Sequence, residues 1–270
     1  MNQPTLSGLL AKGAERVAAG DARRLLALAA GVEASRLTML EPDDITTEVA
    51  KRFDTSLTRR EGGEPVSHIL GYRDFYEDRF IVTADVLDPR PETEELVRAA
   101  LSAPFTRLLD LGTGSGAIGL SLLKARPAAL GVLTDMSEAA LAVAQQNAKA
   151  LGVAAEFILS DWFEGVKGTY DLIVSNPPYI AADEMAELQP ELAHEPRMAL
   201  TDEADGLSAY RIICAGAPAF LRPNGRLMVE VGHTQGPQVA RMMGEAGLQD
   251  IAILPDLDGR DRVVCARKPA

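Results

Sequence analysis

Four residues, Asn176-Pro177-Pro178-Tyr179, directly follow the apolar run Asp171-Leu172-Ile173-Val174-Ser175. Together they have the chemistry to hold a planar NH2 group. Proline has no backbone N–H, so Pro177 and Pro178 remove two donors from the turn and leave carbonyl oxygens facing outward. Acceptors then outnumber donors. An NH2 brings two donors, for which the Asn176 side-chain oxygen and a backbone carbonyl of the Pro-Pro step are partners. Tyr179 adds an aromatic face against which a planar amide or base can lie. Asn and Pro are also ordinary turn residues, so taken alone the four serve equally well to end a strand.

A second cluster lies upstream. Asp110-Leu111-Gly112-Thr113-Gly114-Ser115-Gly116 sits between the apolar run Arg107-Leu108-Leu109-Asp110-Leu111 and a helix expected to begin near Ala117. Glycines there let the backbone approach a ligand closely and present a helix N-terminus to it. Asp135 ends the next predicted strand, placed to accept hydrogen bonds from two ribose hydroxyls. These features fit an adenosine-type cofactor without choosing one, because Gly114-Ser115-Gly116-Ala117-Ile118-Gly119 also satisfies the dinucleotide fingerprint. Two observations favour S-adenosylmethionine over a nicotinamide. Asp110 suits an amino group and would repel a pyrophosphate. Asp161-Trp162 follows the third predicted strand, where an adenine edge and face would lie. A methyl on sulfonium is already a strong electrophile, so positioning the nucleophile and stripping water suffice. The absence of His or Cys beside Asn176 agrees with that chemistry.

The elements that must position these residues read as follows. Up to about residue 61 apolar residues recur at helical spacing, as in Leu25-Leu26-Leu28-Ala29 and Val49-Phe53-Leu57. Asp21 is the expected N-cap of the second helix, Gly31 its end, and Gly62-Gly63 with Pro65 the end of a later one. Phe75 to Val86 reads as a short hairpin or extended linker. Thereafter strands near 107–111, 131–135, 156–159, 172–175, 226–231 and 263–266 alternate with helices, the signature of a parallel sheet covered on both faces. The expected organisation is a helical domain over residues 1–74, a hairpin or linker over 75–88 and a doubly wound α/β domain over 89–270.

Composition narrows the partners. The chain has 270 residues and a net charge of -12. Up to Phe75 there are 10 basic and 11 acidic residues, and after it 17 and 28. The half that carries the motifs is therefore the acidic one, which disfavours a nucleic-acid backbone as ligand. Cys214 and Cys265 sit in apolar surroundings, as expected of buried thiols in a reducing compartment. His68, His194 and His233 are scattered, so no metal is expected. No N-terminal leader pattern or membrane-length apolar stretch is present, and the expectation is a cytoplasmic protein. A nicotinamide-dependent oxidoreductase, a non-catalytic nucleotide-binding module and an adenine N6-methyltransferase on nucleic acid are the alternatives.

The glycine loop followed by Asn176-Pro177-Pro178-Tyr179 resembles a class I S-adenosylmethionine-dependent methyltransferase acting on NH2 groups. Further segments resemble the HemK/PrmC family: Gly63-Glu64-Pro65-Val66 with Ile69-Leu70-Gly71, Pro89-Arg90-Pro91-Glu92-Thr93-Glu94, Glu195-Pro196 with Ala199-Leu200, Asp205-Gly206-Leu207, Glu230-Val231-Gly232 with Gln235, and Asp258-Gly259-Arg260-Asp261-Arg262. The resemblance runs from about residue 62 to the C-terminus. It implies a Rossmann-like fold with a small helical docking domain, and methylation of the glutamine in the Gly-Gly-Gln loop of class I peptide chain release factors by a monomer. It implies that Gly112 to Gly116, Asp135, Trp162 and Asn176 contact the cofactor, that Asn176 to Tyr179 hold the glutamine, and that Arg90 and Glu92 lie on the substrate side. The related ribosomal-protein glutamine methyltransferases differ at Arg90 to Glu94. Asp88 stands where an aliphatic residue is common, and Met136 where Ile is usual.

Overall fold

Helices in the first seventy residues begin and end where side chains or glycine can satisfy backbone groups. Thr5 Oγ1 accepts from Gly8 N at 3.1 Å to cap α1 (Leu6–Arg16), and Thr46 Oγ1 accepts from Val49 N at 3.2 Å to cap α3 (Thr47–Glu61). Between them α2 (Ala19–Ala30) ends at Gly31 in the left-handed conformation, as expected. Its N-cap is Ala18, not Asp21. Asp21 lies in the first turn, where its carboxylate accepts from Arg24 and Arg60, so cross-helix pairing outweighs local capping. Two 3-10 turns, Ala34–Met39 and Pro42–Asp44, lead into α3, and α4 (Val66–Leu70) follows Pro65. Leu25, Leu26, Leu37, Ile45, Phe53 and Leu57 form the core of these helices.

The computed structural model describes residues 3–187 and 190–270; the first two residues of the expected helical domain lie outside the described residues. The chain divides into two compact units, Met1–Tyr72 with Gln189–His194 and Arg73–Leu188 with Glu195–Ala270. A hairpin of β1 (Tyr72–Phe75) and β2 (Asp78–Ile81) precedes the larger sheet. That sheet comprises β3 (Arg107–Leu111), β4 (Leu130–Asp135), β5 (Glu156–Leu159), β6 (Tyr170–Ser175), β7 (Leu221–Glu230), β8 (Gln249–Pro255) and β9 (Asp261–Arg267), in the order β5-β4-β3-β6-β7-β9-β8. Only β9 runs against its neighbours. The fold is therefore the expected mostly parallel, doubly wound α/β architecture.

Alternate residues of each strand feed opposite faces. Leu108, Leu172 and Val174 pack with α5 (Glu94–Leu101), α6 (Ala117–Ala125) and α7 (Glu138–Leu151). After the single turn α8 (Arg197–Leu200), α9 (Ser208–Phe220) and α10 (Gly236–Glu245) cover Leu109, Leu111, Ile173 and Val229 on the other face. Cys214 is buried there, its thiol pushed up to about 12 by that burial. Strand β8 is absent from the expected set: it is a largely exposed edge strand, and its short Ile-Ala-Ile-Leu run ends in Pro255. Among the described residues no helix is long and apolar enough to cross a membrane.

Gly119, in the first turn of α6, allows that helix to lie close against β3 and β4. A Cβ there would stand 2.7 Å from Asp110 Oδ2 and 3.0 Å from Leu133 Cγ, both in the buried interior. Helix propensity favours alanine by about 1 kcal/mol, but overpacking costs about 1–3 kcal/mol. Gly119→Ala should therefore lower stability by up to about 2 kcal/mol, read as a shifted midpoint in urea denaturation.

Candidate active site

The chain leaves β3 toward β4 on one side and leaves β6 toward β7 on the other, opening a crevice beyond their carboxyl ends. Ser175, the last residue of β6, donates its hydroxyl to Leu111 O at the end of β3 at 2.7 Å. That bond fixes the separation of the glycine loop from Asn176. Gly112, Thr113, Gly114, Ser115, Asp135, Asp161, Trp162, Asn176 and Pro178 all line one cavity, joined by Arg90 and Thr93 from the segment before α5.

The loop is held by backbone geometry and one buried carboxylate. Gly112 (φ 67) and Gly114 (φ 56) are left-handed, which glycine adopts without a Cβ penalty. Thr113 N donates to Thr134 O at 2.8 Å, and Gly116 caps α6. Asp110, expected to face a ligand, does not line the cavity. It is fully buried behind the loop, where its Oδ2 accepts from Thr113 Oγ1 at 2.6 Å and Gly119 N at 3.0 Å. Burial pushes its carboxyl up to about 7. Thr113 and Ser115, also expected at the ligand, are likewise buried while lining the cavity.

Asp135 ends β4 as expected and is oriented by two amides: Gly114 N donates to Oδ2 and Ser137 N to Oδ1, each at 2.9 Å. Each oxygen keeps a lone pair for a further donor. Burial pushes its carboxyl up. After β5, the Ser160 hydroxyl reaches the carbonyls of Trp162 and Glu164, holding a turn in which Trp162 is left-handed at φ 48. A bulky aromatic rarely adopts that conformation, and here it presents Trp162 to the cavity beside the exposed Asp161.

Asn176 is half-buried, with Nδ2 3.4 Å from Thr93 Oγ1 and its Oδ1 buried without a partner. Of the following residues, Pro178 lines the cavity whereas Pro177 is buried. Tyr179 stands apart from the lining, its carbonyl already accepting from Gln235 Nε2 at 2.8 Å and its hydroxyl pushed up to about 12 by burial. Gly206 packs so close that a Cβ there would be 2.3 Å from Tyr179 O. The expected substrate residue Arg90 is engaged by Glu195 at 2.5 Å, and Glu92 is exposed and off the cavity wall. Asp88 is buried with Oδ2 3.7 Å from Arg73 Nη1. Met136 is exposed at the cavity edge.

Three buried polar residues near the site have no role that the sequence assigns. Asn147 on α7 is fully buried, donating to Ile81 O at 3.0 Å and Ser115 O at 2.8 Å while accepting from Ile81 N at 2.7 Å. Thr93 and Glu230 lie inside segments that carry the family resemblance, yet a sequence shows no reason for a threonine or a buried carboxylate there. Their role depends on long-range contacts.

The sheet order, the glycine loop at its switch point and the acidic β4 terminus define a class I S-adenosylmethionine-dependent methyltransferase. A methyltransferase small domain model matches residues 83–207, and a PrmC N-terminal domain model matches residues 7–71. The release factor glutamine methyltransferase of Cereibacter sphaeroides is 57% identical over 256 residues, covering 94% of this chain and 92% of that protein. That of Rhodospirillum rubrum is 44% identical, covering 93% and 79%. The chain belongs to the release factor glutamine methyltransferase family. A crystal structure of a Pyrococcus furiosus methyltransferase shares the fold at TM-score 0.55 and 15% identity, over 71% of this chain and 89% of that one.

The raised Asp110 carboxyl has a measurable consequence. Between its ordinary value near 4 and about 7, the folded protein retains a proton that the unfolded chain releases. Its contribution to stability is complete below pH 4 and is lost as pH rises through 7, at a slope approaching about 1.4 kcal/mol per unit. Asp110→Asn keeps the acceptor for Thr113 and Gly119 but removes the titration. The difference in melting temperature between variant and wild type should shift in the variant's favour from pH 4 to pH 8.

Proposed function

We propose that the protein transfers a methyl group from S-adenosylmethionine to the side-chain amide nitrogen of the glutamine in the Gly-Gly-Gln motif of class I release factors. The observation that carries this reading is the Asn176 oxygen, a buried acceptor without a partner at the carboxyl end of β6. Leaving such a group unsatisfied costs about 1–3 kcal/mol, so it suits an amide donor brought by a ligand. The curated relatives' names supply the identity of that donor.

The cavity fits the methyl donor. Gly112 and Gly114 form a wall without side chains, Asp135 offers two oriented carboxylate oxygens to ribose hydroxyls, and Trp162 with Asp161 offers a face and an acceptor to adenine. When bound, the donor supplies an electrophilic methyl, and no metal is needed to activate it. Asn176 Oδ1 accepts one amide hydrogen of the glutamine, and the other is directed at a carbonyl of the Pro177-Pro178 step. This fixes the nitrogen; transfer would break the methyl–sulfur bond and leave S-adenosylhomocysteine, and the nitrogen sheds its proton along the hydrogen bond to these oxygens and on to solvent, while Pro178 and Trp162 limit water at the reacting centre. The helical unit serves to dock the protein substrate. The reading also places a monomeric enzyme in the cytoplasm with its protein substrate, and the net charge of -12 supports a protein over a nucleic-acid acceptor.

Incubation with a purified release factor and S-adenosylmethionine, followed by peptide mass spectrometry, should locate one methyl on the Gly-Gly-Gln glutamine. Methyl found only elsewhere would overturn the assignment. Asp135→Ala should weaken S-adenosylmethionine binding roughly 10–100-fold by calorimetry, the worth of charge-assisted hydrogen bonds. Asn176→Ala should reduce transfer by roughly 10–100-fold or more; transfer at the wild-type rate would exclude the clamp.

A further inference from the structure

Glu230 closes β7 with its residue 1% exposed, and several elements turn polar groups toward it. Arg262 Nη1 of β9 is 3.9 Å from its Oε1, the Tyr210 hydroxyl of α9 donates to its backbone oxygen at 2.8 Å, and Tyr179, Arg90 and Glu92 act on it electrostatically. The carboxylate accepts a hydrogen bond from the Thr93 side chain, while its Oε2 has no partner. Thr93 is 3% exposed, lines the cavity and stands 3.4 Å from Asn176 Nδ2.

A threonine hydroxyl has one hydrogen and two lone pairs, whereas the Glu230 carboxyl, pushed up to about 7, is an ionised, accept-only group above that pH, where this order of donors applies and where the test is run. The single hydrogen of Thr93 therefore goes to Glu230, and toward Asn176 the hydroxyl can only accept. The NH2 end of the Asn176 amide is the end that satisfies it. The amide oxygen is thereby turned away from Thr93 and left without a protein partner, as observed. Without this fixed sequence of donors the amide can rotate by half a turn, setting its NH2 against the substrate NH2, donor against donor.

We propose that Thr93, oriented by Glu230, is a positioning residue that sets the side-chain orientation of Asn176 and keeps its oxygen available to the substrate amide. The inference rests on the acceptor-clamp reading above and deepens it. It acts on the amide of Asn176 and leaves the glycine loop and Asp135 untouched, so the loss falls on methyl transfer more than on methyl-donor affinity.

The test compares Thr93→Val, which keeps the shape and loses the hydroxyl, with Thr93→Ser, which keeps the hydroxyl and loses the methyl. With a purified release factor as substrate, Thr93→Val should lose roughly 10–100-fold in kcat/KM, and Thr93→Ser should restore most of it. S-adenosylmethionine affinity, measured by calorimetry, should fall far less than kcat/KM in both, since the bonds of Asp135 to Gly114 and Ser137 do not change. Because Glu230 acts through Thr93, the double variant Thr93→Val with Glu230→Gln should be no worse than Thr93→Val alone. Should Thr93→Val fail to fold, Thr93→Ala must show the same loss and the same rescue by serine. Wild-type activity in Thr93→Val, equal losses in the serine and valine variants, or multiplied losses in the double variant would each overturn the proposal. Wild-type protein that binds S-adenosylmethionine but leaves the release factor unmethylated would instead defeat the clamp reading itself.

Discussion

Where β3 and β6 lie side by side their chains leave in opposite directions, so the backbone at both carboxyl ends has no further strand to pair with. The Ser175 hydroxyl ties these two ends together through Leu111 O. On one side, the glycine loop, with its Thr113 and Gly114 amides held by Thr134 O and Asp135, presents backbone without bulky side chains. On the other, two prolines withhold donors and leave acceptors. The site thus has a side-chain-poor wall at the end of β3 and an acceptor-rich wall at the end of β6 before any side-chain chemistry is added. A ligand that is polar at one end and carries an electrophile toward an NH2 group matches that division.

Buried carboxylates stiffen both walls. Asp110 anchors the first turn of α6 and the Thr113 hydroxyl, Asp135 anchors Gly114 and Ser137, and Glu230 stands behind Thr93. Burial raises the carboxyl of each, and Asp110 and Glu230 reach about 7. Such groups are costly in a low dielectric unless their oxygens accept hydrogen bonds. Here most do, and the price is recovered as loop rigidity in a segment whose glycines would otherwise be the most mobile part of the chain. Asn147 serves the same end from α7 with a neutral amide whose bonds run to Ile81 and Ser115.

The sheet was legible because β3, β4 and β6 are buried on both faces and so read as continuous apolar runs, and because the glycine loop and Asp135 fall at strand ends. Local signals also located the ends of α2 and α3 at Gly31 and Gly62. The exposed edge strand β8 carries no comparable run, and Asp21 is recruited by Arg60, far away in sequence. Asp110 shows the same limit within the site. Its position beside the glycines is readable, but whether a carboxylate faces a ligand or the back of a loop depends on strand alternation and on Gly119 leaving room for it. Thr93 and Glu230 are ordinary residues in sequence, and only the fold brings them to Asn176.

The chemistry of the clamp also bears on which nitrogen it can serve. Among the described residues that line the cavity there is no His, Cys or Lys, and its carboxylates are Asp85, Asp135 and Asp161, of which Asp135 is bonded to Gly114 of the glycine loop. An alkyl amine is protonated near neutral pH, with a pKa of about 10.4, and must lose a proton before it has a lone pair to alkylate. Asn176 Oδ1 and proline carbonyls accept hydrogen bonds, but they are far too weak as bases to remove that proton. An amide nitrogen is uncharged at the outset and planar, with two hydrogens in the plane. Two in-plane acceptors hold it with its face open to the methyl donor, and the proton is released after the new bond has made the nitrogen acidic. On the proposed reading of Asn176 and the Pro177-Pro178 step, a neutral, proline-flanked acceptor pair selects for a planar conjugated NH2 over a lysine or an amino terminus.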